Sequence, residues 1–311
     1  MTADVSLIMP TWRPRPDWLR QAVTSALDER ACELELIVVD DGSDEPVEPL
    51  LADIDDPRVR VIRTPHGGPY AARNAGIGAA RGRFLRFIDA DDVVEPGSTG
   101  RLLALIADAG PAVAYGATLM CDETLAPQSV VTSELEGDVV EAAVMGAFHV
   151  FVVAILFPRS VVERAGPWNE HAFKVSGDWD FVLRALEHAA ARRLDEVVTR
   201  YRRHGESVTK TAAVASGANA GEEVLAGYFE RHPEHRGTSL ERRAYVRLHL
   251  DRASAHAWVR EWRPAAAQLA RAARRSPAVA LAAGARWGVA RLLGLMARAA
   301  RRARRGSQTP A

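Results

Sequence analysis

The hydrophobic positions in the first 90 residues fall into four short runs separated by polar and helical patterns. The runs cover residues 5–9, 34–39, 59–62 and 84–88. Each has the length and apolar composition of a buried strand, and helical patterns lie between the first and second runs and between the third and fourth. Strands that alternate with helices predict an α/β fold with a mostly parallel, Rossmann-like sheet flanked by helices.

Each of the four runs is followed by a polar cluster. The clusters are, in order, PTWRP, DDGS, HGG and DADD. The carboxyl ends of parallel strands meet at one edge of a sheet, which is where α/β proteins bind ligands. The four loops are therefore expected to form one cleft.

The pattern beyond residue 110 predicts a second group of elements. Residues 113–120 and 129–137 resemble strands, and an apolar strand ends at Pro158 before a short helix. The segment 176–193, SGDWDFVLRALEHAAARR, has a helical apolar face.

The composition changes near Thr211 to alanine, arginine and glutamate, which predicts a globular domain over 1–211 and a helical region over 212–311. The net charge of zero hides a second asymmetry. No acidic residue follows Glu261, whereas 11 arginines do; residues 1–261 hold 29 basic and 40 acidic residues, a balance of −11.

The basic tail has two interpretations. On a helical wheel Leu281, Leu292 and Met296 share one side and most arginines lie opposite, although Trp287 falls among the arginines. A packed terminal helix with a solvated face explains this pattern. A helix that rests on an anionic membrane surface explains it equally well. The acidic body and the lack of a recognition motif argue against nucleic acid as the partner.

Composition excludes several classes of protein. A content of 48% hydrophobic and 26% charged residues is ordinary for a globular chain of 311 residues. Cys32 and Cys121 are far apart and lack metal-ligand spacing, so neither a disulfide framework nor a zinc site is indicated. No secretory signal pattern and no uncharged apolar run of membrane-spanning length is present, so we expect a cytoplasmic location.

The strand-like stretch FLRFIDADD ends in three crowded carboxylates, Asp89, Asp91 and Asp92. Like charges this close raise one another's pKa unless a positive charge lies among them. A solvated acidic turn, with Asp92 capping a helix, accounts for part of the pattern. Three carboxylates at the end of a buried strand favour a divalent cation instead, and oxygen ligands alone suit Mg²⁺ or Mn²⁺.

Four other residues have both a structural and a functional interpretation. Asp41 belongs to an Asp-Gly turn, or it accepts hydrogen bonds from a base or sugar. Arg73 lies one turn inside a helix that follows two glycines, where it is either solvated or close to phosphate. Asp178 is either a helix cap, a role open also to Ser176, or a general base. A lone histidine such as His204 is usually a surface residue, but near a metal it is a ligand or donor.

Six motifs in register resemble family 2 of the inverting glycosyltransferases, which have the GT-A fold. They cover about residues 4–210. The motifs are VSLIMPTWRP, ELIVVDDGS, GPYAARNAGIGAARGRFLRFIDADD, ILFPRSVVERAGPWNE, SGDWDFVLRA and RYRRHGESVT.

The resemblance implies a role for each matching position. Pro10, Thr11 and Trp12 would line a nucleotide pocket; Asp41 would contact the base, and Asp40 would support its loop.

The remaining roles concern the donor phosphates and the catalytic base. Arg73 would lie near the diphosphate. Asp89 and Asp91 form the D-x-D motif, which Asp92 extends; one of Asp91 and Asp92 would bind the metal and the other the ribose or donor sugar, and the sequence leaves open which. Asp178 matches the catalytic base, and His204 matches a residue that reaches the metal or diphosphate.

One departure from the family pattern affects the base. Many relatives have a Glu-Asp pair where this chain has Gly177 and Asp178, so Asp180 is a second candidate. The Q-x-x-R-W motif of processive synthases is missing, which favours transfer of a single sugar.

The resemblance implies a metal-dependent inverting transferase that uses a UDP-, GDP- or dTDP-linked sugar. The acceptor would be a hydroxyl group, free or lipid-linked, in polysaccharide, glycolipid or cell-envelope glycan synthesis. The enzyme would be cytoplasmic or peripheral on the inner face of the membrane. The alternatives are a sugar nucleotidyltransferase and a catalytically silent nucleotide-sugar-binding module. The first alternative requires a glycine-rich basic loop after the first strand, and PTWRPRP is not such a loop.

Overall fold

The fold is taken from a computed structural model of the chain. The chain divides into two compact units, Met1–Val224 and Leu225–Ala311. The expected boundary at residue 211 and most of the basic tail lie outside the residues that the structure describes. The described residues are 3–170, 176–205, 220–258 and 261–281.

Strands and helices alternate through the first half of the first unit, as the hydrophobic pattern predicts. The elements are β1 Val5–Thr11, α1 Pro16–Leu27, β2 Leu34–Asp40, a 3₁₀ turn Glu48–Leu51, β3 Val59–Arg63, α2 Pro69–Ala79, β4 Phe84–Phe87, β5 Val93–Val94, α3 Ser98–Ile106, β6 Ala112–Cys121, β7 Pro127–Val131, α4 Val140–Val144, a 3₁₀ turn Val152–Ala154, β8 Ile155–Pro158, α5 Arg159–Ala165, α6 Gly177–Leu186 and β9 Ala190–Arg202.

One sheet holds these strands in the order β3-β2-β1-β4-β8-β6-β9-β5, with β7 paired to β6. The first four strands are parallel to one another. The later strands mix directions: β8 runs antiparallel to β4 and to β6, and β9 runs parallel to β6. The α/β architecture expected from the sequence is confirmed, and the carboxyl ends of β1, β2 and β4 lie at one edge.

The structure differs from the sequence pattern at the end of α6. The predicted helix over 176–193 stops at Leu186, and the chain enters β9 at Ala190. Local propensity favours a helix for this alanine-rich stretch, but pairing with β6, for example Val113 opposite Ala191, overrides it. Such pairing joins residues distant in sequence, so the local pattern carried no signal of it.

The core explains why β1 is central. All seven residues of β1 are buried. Helix α1 begins with Pro16, whose fixed φ suits the first helical turn, and it presents one apolar face to the sheet. That face consists of Leu19, Ala22, Val23 and Ala26.

Helix α7, Ala220–Arg231, begins in the first unit and ends in the second. The second unit also contains a 3₁₀ turn at Pro233–His235 and helices α8 Ser239–Trp258 and α9 Trp262–Arg275. Val246 and Leu250 of α8 and Ala272 of α9 are buried together. Among the described residues, none of the helices combines the length and the apolar character that crossing a bilayer requires.

A buried arginine ties β4 to its neighbours. Arg86 is fully buried, and its guanidinium donates to the hydroxyls of Ser98 and Thr99 at 3.0 and 2.8 Å and to the carbonyl oxygen of Val198 and the hydroxyl of Thr199 at 2.8 and 2.9 Å. Burial lowers its pKa to about 10. The strand that leads into the acidic cluster is thus fixed to α3 and β9 by polar contacts in the core.

We expect Arg86→Ala to lower the free energy of unfolding by about 3–5 kcal/mol, because it leaves buried acceptors without donors and removes packing. Arg83→Ala is the matched control: Arg83 is exposed and pairs with Asp4 at the surface, so its loss should cost less than about 1 kcal/mol. Urea denaturation measures both. Equal midpoints for Arg86→Ala and the wild type would contradict this account of β4.

Candidate active site

Three carboxylates gather at the carboxyl end of β4. One oxygen from each of Asp89, Asp91 and Asp92 lies within 4.8 Å of the others. The strand end holds the first of them, and a hydrogen bond from the amide of Asp92 to the carbonyl of Asp89, at 3.2 Å, closes the turn. The D-x-D segment is therefore a compact group of acidic side chains.

Positive or polar partners lie against two of these carboxylates. The guanidinium of Arg73 donates to Asp89 Oδ1 at 2.8 Å. The ring of His204 places Nε2 2.8 Å from Asp91 Oδ2. The cation that the crowded carboxylates require is thus supplied in part by the protein itself.

Asp92 is the least compensated of the three. Its Oδ1 accepts the amide of Arg202 at 2.9 Å, but Oδ2 is buried and has no hydrogen-bond partner among the described residues. Desolvation, followed by the charges of Asp91 and Asp89, raises the pKa of Asp92 well above its usual value. The pKa of Asp91 is also raised, chiefly by desolvation and by Asp89, against the lowering effect of His204.

This environment fits a divalent cation. The unpartnered Oδ2 of Asp92 lies in a cluster of carboxylate oxygens without a nearby thiol, a donor set that Mg²⁺ or Mn²⁺ prefers. A cation there would offset the burial and the mutual repulsion that raise the pKa values of Asp91 and Asp92.

Arg73 links the acidic cluster to the candidate base. It is buried, and while one nitrogen contacts Asp89, Nη1 donates to Asp178 Oδ1 at 3.2 Å. Its guanidinium also lies 4.7 Å from the ring centre of Trp168. Desolvation raises the pKa of Asp178, Arg73 lowers it and Asp89 raises it; half of the Asp178 side chain is exposed, so solvent weakens the rise.

The structure separates the two base candidates. Asp180 is buried and forms an ion pair with Arg184, one turn along the helix, at 2.8 Å. Asp178 instead contacts Arg73, and half of its side chain is exposed. Neither Ser176 nor Asp178 gives a capping hydrogen bond in the described part of the chain, and Ser176 has a φ of 75°.

Asp40 supports the loop after β2. Its Oδ1 accepts the amide of Ser43 at 2.9 Å, and Oδ2 lies 3.3 Å from Arg63 Nη1. Gly42 has a φ of 66°, and a Cβ there would lie 2.6 Å from the amide nitrogen of His66, so the turn requires glycine.

Asp41 joins this loop to the start of α2. Its two oxygens accept the amides of Gly67 and Gly68 at 2.8 and 2.9 Å, and Oδ2 lies 2.9 Å from Nδ1 of His66. The carboxylate is buried. Asp41 thus organises the HGG loop, a role that the sequence pattern did not reveal.

The end of β1 borders the same region. Pro10 and Thr11 are buried, and the Thr11 hydroxyl has no hydrogen-bond partner among the described residues. Trp12 is 45% exposed and stacks on His66 with ring centres 4.8 Å apart. An exposed aromatic surface therefore lies next to Asp41.

Sequence reasoning missed several residues of the site, namely His66, Tyr70, Trp168 and Arg202. Tyr70 precedes Arg73 by three residues in a predicted helix, so the sequence could have indicated that the two side chains lie next to each other. Trp168 and Arg202 reach the site from distant segments, and no local pattern indicates such contacts.

We expect Asp92→Asn, without added metal, to raise the thermal midpoint at pH 7–8. The carboxyl of Asp92 has a higher pKa in the folded state than in the unfolded state. As the pH rises above the unfolded pKa, the unfolded state loses its proton more readily, so the free energy of unfolding decreases. Asparagine carries no such cost, so its advantage should disappear below about pH 4. A change of 1 kcal/mol in the free energy of unfolding shifts the thermal midpoint by about 2–4 °C.

Asp122→Asn is the control with the opposite sign. Hydrogen bonds from Thr124 and Ala126 lower the pKa of Asp122, so the charged form contributes stability at neutral pH. A lower midpoint for Asp92→Asn at pH 7–8 would contradict the described electrostatics.

Comparison with known proteins supports the first three of the six motifs, which lie almost entirely within the matched residues. The family model described as Glycosyl transferase family 2 matches residues 6–137. The succinoglycan biosynthesis protein ExoO of Rhizobium meliloti is 40% identical over 112 residues, which is 36% of this chain and 32% of that protein. The uncharacterized glycosyltransferase EpsJ of Bacillus subtilis is 28% identical over 217 residues, or 66% and 63% of the two chains. The matches therefore span between about a third and under two thirds of these relatives.

Solved structures support the fold. TarS 1–349 of S. aureus, crystallised in complex with UDP-GlcNAc, aligns with a TM-score of 0.56 at 14% identity and covers 88% of this chain and 92% of that one. The GT-A fold expected from the resemblance is confirmed. Residues 6–137 of the chain therefore match glycosyl transferase family 2, and the chain is similar to proteins named as glycosyltransferases.

Proposed function

We propose that the chain is a metal-dependent, inverting glycosyltransferase that moves one sugar from a nucleoside-diphosphate sugar to a hydroxyl acceptor. The observation that carries the proposal is the shared contact of Arg73. One buried guanidinium contacts both Asp89 of the acidic cluster and the candidate base Asp178. Arg73 thereby keeps the carboxylates proposed to act at the donor next to the carboxylate proposed to take the proton of the acceptor.

The donor nucleotide would lie at the ends of β1 and β2. Trp12 offers an aromatic face, Thr11 an unpartnered hydroxyl, and the Asp41 loop lies beside them. Pro10 and Asp40 fix the backbone around this pocket. The complex of TarS with UDP-GlcNAc supports a UDP-linked donor as the first to test.

Asp91 and Asp92 would hold the metal ion, with Asp89 facing the donor and His204 orienting Asp91 or reaching the ion. When bound, a divalent cation stabilises the negative charge that develops on the departing diphosphate. Arg73 keeps Asp89 in place, and the backbone amide of Arg202 holds Asp92.

Asp178 would act as the general base. It would take the proton of the acceptor hydroxyl while that oxygen attacks the anomeric carbon from the face opposite the diphosphate, which inverts the configuration. Arg73 favours the ionised carboxylate against desolvation, and partial exposure leaves the carboxylate open to the cleft.

The acceptor is proposed to be a hydroxyl of a growing polysaccharide or of a lipid-linked sugar. Relatives named for succinoglycan biosynthesis and a chondroitin synthase of Pasteurella multocida support the polysaccharide class.

We further propose that the second unit binds an anionic membrane surface. On α9, Trp262 and Leu269 are 65% and 46% exposed and lie about 20° apart around the helix axis. The same helix carries three exposed arginines, Arg263, Arg271 and Arg274. Its contact with α8 is made by the buried Ala272. An exposed tryptophan with surrounding arginines is typical of interfacial helices.

A product assay separates the proposed activity from its alternatives. With Mn²⁺ and UDP-N-acetylglucosamine or other nucleotide sugars, release of the nucleoside diphosphate is expected. Release of pyrophosphate from a nucleotide and a sugar phosphate would indicate a nucleotidyltransferase instead. Silence with every donor tested would indicate a binding module.

Asp178→Asn should lower kcat for transfer by about 10²–10⁴-fold, since asparagine cannot accept the proton. Binding of UDP with Mn²⁺, measured by calorimetry, should change little. Asp180→Asn is the matched control: it breaks the ion pair with Arg184 and should lower the thermal midpoint while transfer is retained. Normal turnover of Asp178→Asn would remove that residue from its role.

Membrane binding is tested by vesicle sedimentation. The full chain should bind vesicles that contain phosphatidylglycerol more than vesicles of phosphatidylcholine alone, and added salt should weaken binding. Trp262→Ala with Leu269→Ala, or deletion of 277–311, should reduce binding, whereas Leu105→Ala, at an exposed leucine of α3, should not. Unchanged binding after the deletion would refute the role of the tail.

A further inference from the structure

The residue before the candidate base is a glycine because a tyrosine ring occupies the space of its side chain. A Cβ on Gly177 would lie 2.6 Å from Cε2 and 2.7 Å from the hydroxyl oxygen of Tyr70. Real Cβ atoms do not approach other atoms this closely, so no side chain fits at position 177 while the ring is present.

Tyr70 is itself held in this position. Its hydroxyl oxygen accepts the amide of Gly177 at 3.1 Å. Its ring stacks on Trp168 with centres 5.5 Å apart, and Trp168 stacks on Phe181 at 4.1 Å. Gly177 is the first residue of α6, and Phe181 lies one turn further along the same helix. Tyr70 therefore contacts α6 twice, directly at Gly177 and through Trp168 at Phe181.

One face of α2 contacts the first two residues of α6 and also Trp168. Tyr70 binds the amide of Gly177, and Arg73, one turn on, binds the carboxylate of Asp178. Asn74 donates to the carbonyl of Trp168 at 2.9 Å and accepts its amide at 2.8 Å. Tyr70, Arg73 and Asn74 occupy positions i, i+3 and i+4 of α2, so their side chains lie next to one another on one face of the helix.

We propose that Tyr70 is the positioning residue of Asp178. The inference rests on the proposed function. The hydroxyl fixes the first amide of α6, the ring excludes a side chain at Gly177, and Asp178 is left facing Arg73. Burial, followed by the charge of Asp178, raises the pKa of Tyr70 to about 12, so the hydroxyl stays neutral beside the carboxylate.

A swap experiment tests this arrangement. The variants are Tyr70→Ala, Gly177→Glu and the double variant, each assayed for transfer kcat, for binding of UDP with Mn²⁺ and for thermal midpoint. We expect each single variant to lose about 10–100-fold in kcat, because displacement of a catalytic group by about 1 Å is costly. The double variant, in which removal of the ring makes room for the glutamate, should be at least about fivefold more active than Gly177→Glu alone.

Two further variants separate positioning from general stability. Tyr70→Phe keeps the ring and removes the acceptor for the Gly177 amide, so kcat should fall about 3–10-fold while UDP binding stays within about twofold. Tyr115→Phe is the matched control: the Tyr115 hydroxyl donates to the carbonyl of Ser133 at 3.1 Å. It should lower the thermal midpoint and leave kcat unchanged.

The inference is overturned if Gly177→Glu or Tyr70→Phe transfers sugar like the wild type, or if the double variant is no more active than Gly177→Glu alone. Should Gly177→Glu fail to fold, Gly177→Ala takes its place, and its effect on kcat must then be smaller in the Tyr70→Ala background. A wild-type chain that transfers no sugar would instead refute the proposed function, and the role of Tyr70 would be refuted with it.

Discussion

The structure of the site depends on one buried guanidinium. A buried charge is strongly unfavourable unless it is paired and hydrogen-bonded, so Arg73 fixes the position of whatever anions it contacts. Those anions are Asp89, at the end of β4, and Asp178, at the start of α6, which are 89 residues apart in the chain. A single electrostatic requirement thus brings a strand end and a helix start together, and α2 carries the arginine between them.

The acidic cluster has the opposite character, because its charges are incompletely compensated. Arg73, His204 and the amide of Arg202 each contact one carboxylate, yet the pKa values of Asp91 and Asp92 remain raised. Such a cluster reduces the stability of the folded chain at neutral pH. Proteins accept this kind of cost at functional sites, where a ligand relieves it. This is why we interpret the cluster as a cation site rather than as an acidic turn.

The sequence predicted the features that depend on local pattern. The four apolar runs form β1–β4, and the polar clusters that follow them lie at one edge of the sheet. Both features follow from the spacing and the composition of the hydrophobic positions. Residues 190–193, the start of β9, were wrongly predicted as part of a helix, since their partners in β6 lie 78 residues earlier in the chain.

The candidate site was predictable only in part, for the same reason. Asp89, Asp91 and Asp178 are recognisable in their motifs. The contact of Tyr70 with Gly177, however, joins residues 107 apart, and the glycine alone gave no indication of what fills the space beside it. Arg202 reaches the acidic cluster through its backbone amide, which no side-chain pattern can indicate.

The most direct measurement is a crystal structure of the protein with Mn²⁺ and UDP, with data collected at the manganese absorption edge. The account predicts an anomalous peak against the carboxylates of Asp91 and Asp92, with the diphosphate of UDP on its other side. The second unit offers an internal comparison, since His232, Glu234 and His235 also present ligand atoms within 4.8 Å of one another. A peak only there, or none at the acidic cluster, would contradict the central claim.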